Sequence, residues 1–260
     1  MPKLLLIMTD GMRPDALVQA HTPTFAQLMH RGSYTLSARS VVPSMTLPCH
    51  MSLFHSVPPE RHNVLTNTYT PMVRPVPGLF EVLKSAGKRS AKFFSWEPLR
   101  DVSRPGSVSV SKLIAYENNP EVSDIRVVET ALPYLRAFEH DFIFLYLGSV
   151  DEVGHLAGWM SEPYLKQVEH LDGLIGQALE AIPSDTTVLC LSDHGGRWRL
   201  HGSDHPEDMT VPFFAMGPGI RAGRLIEEAV SLLEVSPTIA KLMGVVAPVE
   251  WEGKALELGE

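Results

Sequence analysis

Three apolar runs in this 260-residue chain each end on side chains that bind metals, and that pattern limits the folds open to it. The first is Lys3-Leu4-Leu5-Leu6-Ile7-Met8-Thr9-Asp10, running into Gly11-Met12-Arg13-Pro14-Asp15. The second is Phe142-Ile143-Phe144-Leu145-Tyr146-Leu147-Gly148-Ser149-Val150-Asp151, with His155 four residues on. The third is Thr187-Val188-Leu189-Cys190-Leu191-Ser192-Asp193-His194, with His201 shortly after. Continuous apolar runs bounded by turn residues read as strands covered on both faces. In open α/β sheets, ligands bind beyond the carboxyl ends of such strands. Three Asp and three His are therefore expected to converge on one sheet edge. Carboxylate oxygen mixed with imidazole nitrogen suits divalent transition metals, zinc first.

The segments between these runs carry helix signals. Thr22-Pro23 and Thr46-Leu47-Pro48 place a hydroxyl residue and an early Pro at helix starts. Between Glu162 and Ile182, residues Leu165, Val168, Leu171, Leu174, Ile175, Ala178, Leu179 and Ile182 keep helical spacing. A helix is also expected over 122–138 despite Pro133, and strands over 33–42, 91–94 and 212–216. Residues 97–119 show weak periodicity with Pro, Ser and Gly punctuation, and read as a small excursion from the core, a candidate cap. Alternating strands and helices predict an α/β fold: one mainly parallel central sheet with helices on both faces. Residues 1–260 read as one domain.

Charge and composition remove some classes. A formal net charge of -8 argues against a nucleic-acid polymer as partner. Two cysteines, Cys49 and Cys190, make no disulfide framework. No stretch approaches a membrane span, and Leu4–Met8 is too short for a secretory leader, so the chain reads as cytoplasmic and not membrane-bound.

Thr46 has two readings. A Thr before Pro is most often a helix N-cap. A hydroxyl at a helix N-terminus also faces free N–H groups that favour a phosphoryl oxygen, and it can act as a nucleophile when a metal lowers its pKa. Beside the Asp/His clusters, the nucleophile is the stronger reading.

The ordered set Asp10-Gly11-x-Arg13-x-Asp15, Pro43-Ser44-x-Thr46-x-Pro48-x-His50, Asp151-x-x-x-His155, Ser192-Asp193-His194-Gly195 and His201-Gly202 resembles the alkaline phosphatase superfamily. The branch it is most similar to is the nucleotide pyrophosphatase/phosphodiesterases. The resemblance spans nearly the whole chain. It implies two divalent metals, Zn2+ first with Mn2+ as the alternative, about 4 Å apart. Asp10, Thr46, Asp193 and His194 would hold one; Asp151, His155 and His201 would hold the other. Thr46 would form a covalent phospho-enzyme, later hydrolysed. Asn67 matches an asparagine that donates to a non-bridging phosphoryl oxygen.

The implied substrate is a small-molecule phosphate ester, a diester or nucleotide pyrophosphate. A monoesterase, phosphonate hydrolase or phosphomutase on the same scaffold stands as the alternative. A non-catalytic metal-binding scaffold is the alternative outside enzymes, but it has no need of Thr46. A sulfatase would carry Cys or Ser followed by x-Pro-x-Arg, where this chain reads Thr46-Leu47-Pro48-Cys49-His50. Several neighbours stay open. His205 competes with His201, and the His-Gly pairing favours His201 by resemblance. His50 and His62 read as buttresses of the site. Arg13 and Asp15 read as a supporting ion pair. Trp96 is a candidate to stack on a leaving group, although an aromatic at a strand end more often packs.

Overall fold

The run Lys3–Thr9 forms strand β1, and its side chains divide between two cores. Leu4, Leu6 and Met8 enter one apolar cluster, and Leu5 and Ile7 enter the other. That split is the period-2 alternation of a strand covered on both faces. The computed structural model describes residues 2–115 and 119–259.

After β1 come α1 (Ala16–Gln19), α2 (Pro23–Arg31) and β2 (Ser33–Arg39). Helices α3 (Thr46–His55), α4 (Pro59–His62) and α5 (Leu79–Ser85) precede β3 (Ser90–Phe94). A 3-10 helix (Glu97–Val102) leads to β4 (Val110–Leu113) and α6 (Pro120–Ala137). Then follow β5 (Phe142–Leu147), α7 (Ser149–Ala157), α8 (Glu162–Ala181) and β6 (Thr186–Leu191). Next come α9 (Pro206–Met209), β7 (Thr210–Met216), β8 (Arg224–Leu225), a second 3-10 helix (Leu232–Glu234) and α10 (Val235–Leu242).

The strands form one eight-stranded sheet in the order β4-β3-β5-β1-β6-β7-β2-β8. Neighbours from β4 to β6 pair parallel. Strand β7 pairs antiparallel with both β6 and β2, so it alone runs backwards. The mainly parallel α/β sheet read from the sequence is the observed architecture. No helix among the described residues is long and apolar enough to cross a membrane.

The 97–119 segment rejoins the sheet rather than standing off as a cap. Its strand β4 pairs with β3 from Ala91↔Val110 to Phe94↔Leu113. Lys92, 2% exposed, reaches out of β3 and pins the preceding turn. Its Nζ donates to the carbonyls of Leu99 and Arg100 and to Ser103 Oγ. A buried ammonium needs such acceptors, and weak periodicity could not reveal them. Residues 116–118 of that segment lie outside the described residues.

The start of α2 differs in its cap. Thr22 makes no side-chain cap bond; its hydroxyl donates to the Leu17 carbonyl. Asp172 on α8 instead accepts the Thr24 and Phe25 N–H groups at 3.0 and 2.9 Å. A carboxylate supplied from another helix does the same electrostatic job.

His62 gives a pH prediction. Its Nδ1 accepts the Val64 N–H at 3.1 Å, so its Nε2–H donates to Ser52 Oγ at 3.0 Å. Protonating Nδ1 would break the first bond. Burial, with His55 adding to it, lowers its pKa from 6.5 to about 4. The unfolded chain therefore takes the proton first. The stability His62 contributes is complete above about pH 6.5 and is lost as pH falls through about 4. The expected slope in that window is up to about 1.4 kcal/mol per pH unit. Thermal melts from pH 7 to pH 4 should show the decline, shallower in His62→Gln; a flat profile would refute it.

Candidate metal centre

Strands β5, β1 and β6 are adjacent and parallel, and the three carboxylates come from just beyond their carboxyl ends. Asp10 follows β1 directly. Asp193 and His194 follow β6. Asp151 lies in the first turn of α7, and His155 sits one turn later. That i, i+4 spacing on a helix brings the pair together: His155 Nε2 is 3.3 Å from Asp151 Oδ2. Gly11, after Asp10, has φ +69, and a Cβ there would meet Asp151 Cα, Cβ and Oδ1 at 2.8 Å. Only glycine allows the two loops to approach this closely.

Thr46 is the first residue of α3, and the N-cap is Met45. The Thr46 hydroxyl therefore caps nothing. Its Oγ1 lies 3.3 Å from His194 Nε2. His194 Nε2 is also 3.1 Å from Asp10 Oδ1 and 3.5 Å from Asp193 Oδ2. The His194 ring stacks on His201 with centroids 3.8 Å apart, and His201 Nε2 is 3.2 Å from His155 Nε2. His201 Nδ1 donates to the Ser44 carbonyl and His155 Nδ1 to the Arg199 carbonyl, at 2.8 and 2.9 Å. Both rings thus turn Nε2 into the site.

All seven residues singled out as metal ligands gather here. Ligand atoms of five of them form two groups, Asp151/His155/His201 and Asp10/Asp151/His194, each within 4.8 Å; Thr46 and Asp193 are in neither group and lie 3.3 and 3.5 Å from His194 Nε2. Asp151 belongs to both, whereas its sequence assignment was to one. Among the described residues, the buried atoms Asp10 Oδ1, Asp151 Oδ1 and Asp193 Oδ2 have no hydrogen-bond partner, and each faces an imidazole nitrogen, at 3.1, 3.6 and 3.5 Å. Orphaned buried carboxylate oxygens are costly unless a cation satisfies them. The donor set fits a divalent transition metal, with oxygen and imidazole in both groups.

The titrations reflect this crowding. Burial alone would raise the Asp10 carboxyl, but His194, Tyr146 and His50 outweigh it and hold it at about 2. Burial and the Asp10 charge push Asp193 well above the usual carboxylate range. His194 is raised despite its burial, because Asp193, Asp10 and Asp151 favour its proton. His155 is raised to about 9 by its Asp151 partner. Burial, then the His194 charge, lower His201 to about 4.

Supporting residues explain how the groups are held. Arg13 donates to both oxygens of Asp15 at 2.9 and 2.6 Å and to the Gly196 carbonyl at 3.1 Å. The pair read from the sequence thus ties the β1 loop to the β6 loop. His50 is fully buried; its Nδ1 donates to the Thr46 carbonyl at 2.8 Å and lies 3.6 Å from Asp193 Oδ2. Asn67 Oδ1 accepts the Leu47 N–H at 3.0 Å, which brings Asn67 to the N-terminus of α3 beside Thr46. His205 is exposed at the start of α9 and joins neither group. Trp96 packs, partly buried, against the core.

Sequence reasoning missed Tyr146, whose hydroxyl donates to Asp10 Oδ2. Its place on β5, in step with Phe142 and Phe144, was a usable signal. It also missed Asp124, which accepts the Gly148 and Ser149 N–H groups at 3.0 and 3.1 Å and anchors α7. No local pattern announces that partnership across 24 residues.

A family model, type I phosphodiesterase / nucleotide pyrophosphatase, matches residues 4–197. The chain belongs to this family. A sulfatase family model also matches residues 154–245, as expected within the alkaline phosphatase superfamily. Among curated relatives, human ectonucleotide pyrophosphatase/phosphodiesterase family member 1 is 28% identical over 222 residues, covering 75% of this chain and 23% of that protein. The 2,3-bisphosphoglycerate-independent phosphoglycerate mutase of Listeria monocytogenes is 28% identical over 153 residues, 57% of this chain and 29% of that one. The chain thus spans less than a third of the length of either relative. An inactive variant of murine ectonucleotide pyrophosphatase / phosphodiesterase 5, in complex with AMP, superposes with a TM-score of 0.80 at 16% identity, covering 95% of this chain and 96% of that one. The family match places this chain with the type I phosphodiesterases / nucleotide pyrophosphatases, and the superposition shows the same fold.

Proposed function

We propose that residues 1–260 form one hydrolase domain that cleaves small-molecule phosphate diesters through a phospho-threonine at Thr46. The observation that carries this reading is the gathering of three carboxylates and three imidazoles in one buried site, with the Thr46 hydroxyl 3.3 Å from one of those imidazoles, His194. Asp10, Thr46, Asp193 and His194 would hold one metal, and Asp151, His155 and His201 the other, with Asp151 within reach of both. Bound there, two divalent cations, zinc first, would lower the pKa of the hydroxyl and stabilise charge on the attacking and leaving oxygens.

The chain's own residues set the geometry. Thr46 is held on the rigid, fully buried first turn of α3. The N-terminus of that helix favours a phosphoryl oxygen next to the hydroxyl. With Oδ1 committed to Leu47, Asn67 has its Nδ2 left to donate to a non-bridging oxygen. Tyr146 fixes one Asp10 oxygen and leaves the other facing His194.

A diester is favoured over a monoester because the phosphate faces a neutral amide and not a guanidinium. A monoester dianion carries more charge and gains more from a nearby cation. Arg39 donates to Thr210 and Arg197 stacks on Trp198, so both are engaged elsewhere. The test is kcat/KM for an aryl diester against the matching monoester. A clear monoester advantage would overturn the diester assignment. Asn67→Ala is expected to lower diester turnover by up to about 10²-fold. Asn67→Asp keeps the acceptor for Leu47 but removes the donor, so it separates the capping loss from the catalytic one. If Asn67→Asp turns over like wild type, Asn67 has no role at the phosphate.

A second reading, a phosphomutase, draws on the match to the phosphoglycerate mutase. It differs only in the acceptor: the phosphoryl group on Thr46 would pass to a second alcohol instead of water. Release of inorganic phosphate from a monoester without added alcohol would exclude an obligate mutase.

A further inference from the structure

The turn Arg197–Leu200 joins the His194 loop to His201 and is closed by a bridge between Arg197 and Leu200. Its tip is apolar yet exposed: Trp198 is 72% and Leu200 69% accessible. Scattered exposed hydrophobics need no explanation, but an aromatic and an aliphatic side by side at a site do. Trp198 adopts a left-handed backbone, φ 56, which is uncommon for so bulky a residue. The conformation is anchored, because the Trp198 carbonyl accepts the Trp159 N–H at 2.7 Å. The Arg197 guanidinium lies over the Trp198 ring at 4.2 Å, so the ring has a packed neighbour although it faces solvent. With Trp159, Met160 and Gly158, this turn lines an open recess.

One ring separates that recess from the metal-binding histidines. Trp159 meets His155 edge-on at 5.1 Å and lies 5.9 Å from His201. The contacts run in sequence from Thr46 to His194, His201 and His155, and the Arg199 carbonyl lies beyond. Thr46 touches His194, whereas the Trp198 turn adjoins His155 on the Nδ1 edge of its ring, away from Nε2. In an in-line displacement the leaving oxygen lies opposite the nucleophile. With Thr46 as nucleophile beside His194, the leaving group would lie toward the Asp151/His155/His201 group, which this turn adjoins through the Arg199 carbonyl.

We propose that the Trp198–Leu200 turn is the specificity platform for the leaving alcohol, and that this alcohol is aromatic or extended apolar. The proposal rests on the reading of Thr46 as the nucleophile. The platform supplies an aromatic face and an aliphatic edge. Arg197, stacked on the Trp198 ring, holds that aromatic face in place.

The experiment compares methyl phenyl phosphate with methyl 2-naphthyl phosphate, whose leaving groups are similar in acidity and differ in apolar area. Wild-type protein loaded with zinc should favour the naphthyl ester by about tenfold in kcat/KM, the scale of burying one extra ring. Trp198→Ala and Leu200→Ser should each bring that ratio toward one, and Trp198→Phe should retain most of it. Binding of free 2-naphthol, followed by NMR, should weaken in parallel in the same variants. A ratio and a naphthol affinity that survive Trp198→Ala would overturn the platform. So would a wild-type dimer, seen by light scattering, that Trp198→Ala dissolves without changing the ratio, since the turn would then cover a second copy. If wild type binds 2-naphthol through Trp198 yet hydrolyses neither ester, the diesterase reading fails while the apolar site stands.

Discussion

Thr46→Ala is expected to cut turnover of an aryl diester by a factor on the order of 10⁴ or more, the scale seen when a covalent nucleophile is removed. The fold should survive. Sequence reasoning treated Thr46 as a candidate cap, whose loss would cost about 1 kcal/mol. The structure gives the N-cap to Met45 and points the Thr46 hydroxyl at His194. Truncation therefore removes no helix bond. The remaining penalty is the loss of a few buried atoms, about 1 kcal/mol. Thr46→Ser keeps the hydroxyl and should retain turnover within a few tens of fold of wild type. Measuring kcat alongside the melting temperature separates chemistry from folding. Near wild-type activity in Thr46→Ala would mean that water attacks phosphorus directly and no phospho-threonine forms.

Removing the metals should be equally severe. Elemental analysis of protein purified without chelator should approach two equivalents of divalent metal per chain, and a chelator should abolish turnover. Asp151 faces both ligand groups, so Asp151→Asn should lower the occupancy of both, whereas His155→Ala should spare the Asp10/His194 group. Metal uptake should also release protons. His155, raised to about 9, and Asp193, raised by burial, hold protons that must leave before those atoms can bind a cation. Affinity should therefore strengthen as pH rises toward 9 and weaken below it; titration calorimetry in buffers of different ionisation enthalpy measures both. A stoichiometry of one that added zinc or manganese cannot raise would overturn the two-metal reading.

Much of the candidate site was legible in the chain because the signals are local. An apolar run that ends in Asp announces a strand terminus and the residue just past it. Asp151 and His155 at a four-residue spacing announce a shared helix face. Thr46 two residues before Pro48 announces a helix start. These patterns depend only on backbone period and end chemistry, and they led to the mainly parallel α/β sheet and to Asp10, Asp151, His155 and His194; His201 was preferred to His205 by family resemblance. The 97–119 segment was read less well, because β4 is a short edge strand and the 3-10 helix before it is held by the buried Lys92, a partner distant from any local pattern.

What the sequence determined by itself was the type and order of the main strands and helices, and which side chains stand at the carboxyl edge; short elements such as α4, β4 and β8 went unread. Only the tertiary structure decided that β5, β1 and β6 are neighbours, that β7 runs backwards, and that Asp151 faces both groups. It also assigned Tyr146 to Asp10, Asn67 to the Leu47 N–H, and the turn that carries the exposed Trp198 to His155. Each is a contact between residues distant along the chain, such as Tyr146 and Asp10, 136 positions apart. Such contacts are set by strand register and by the packing of whole faces, and those leave no trace in the period or composition of either segment alone.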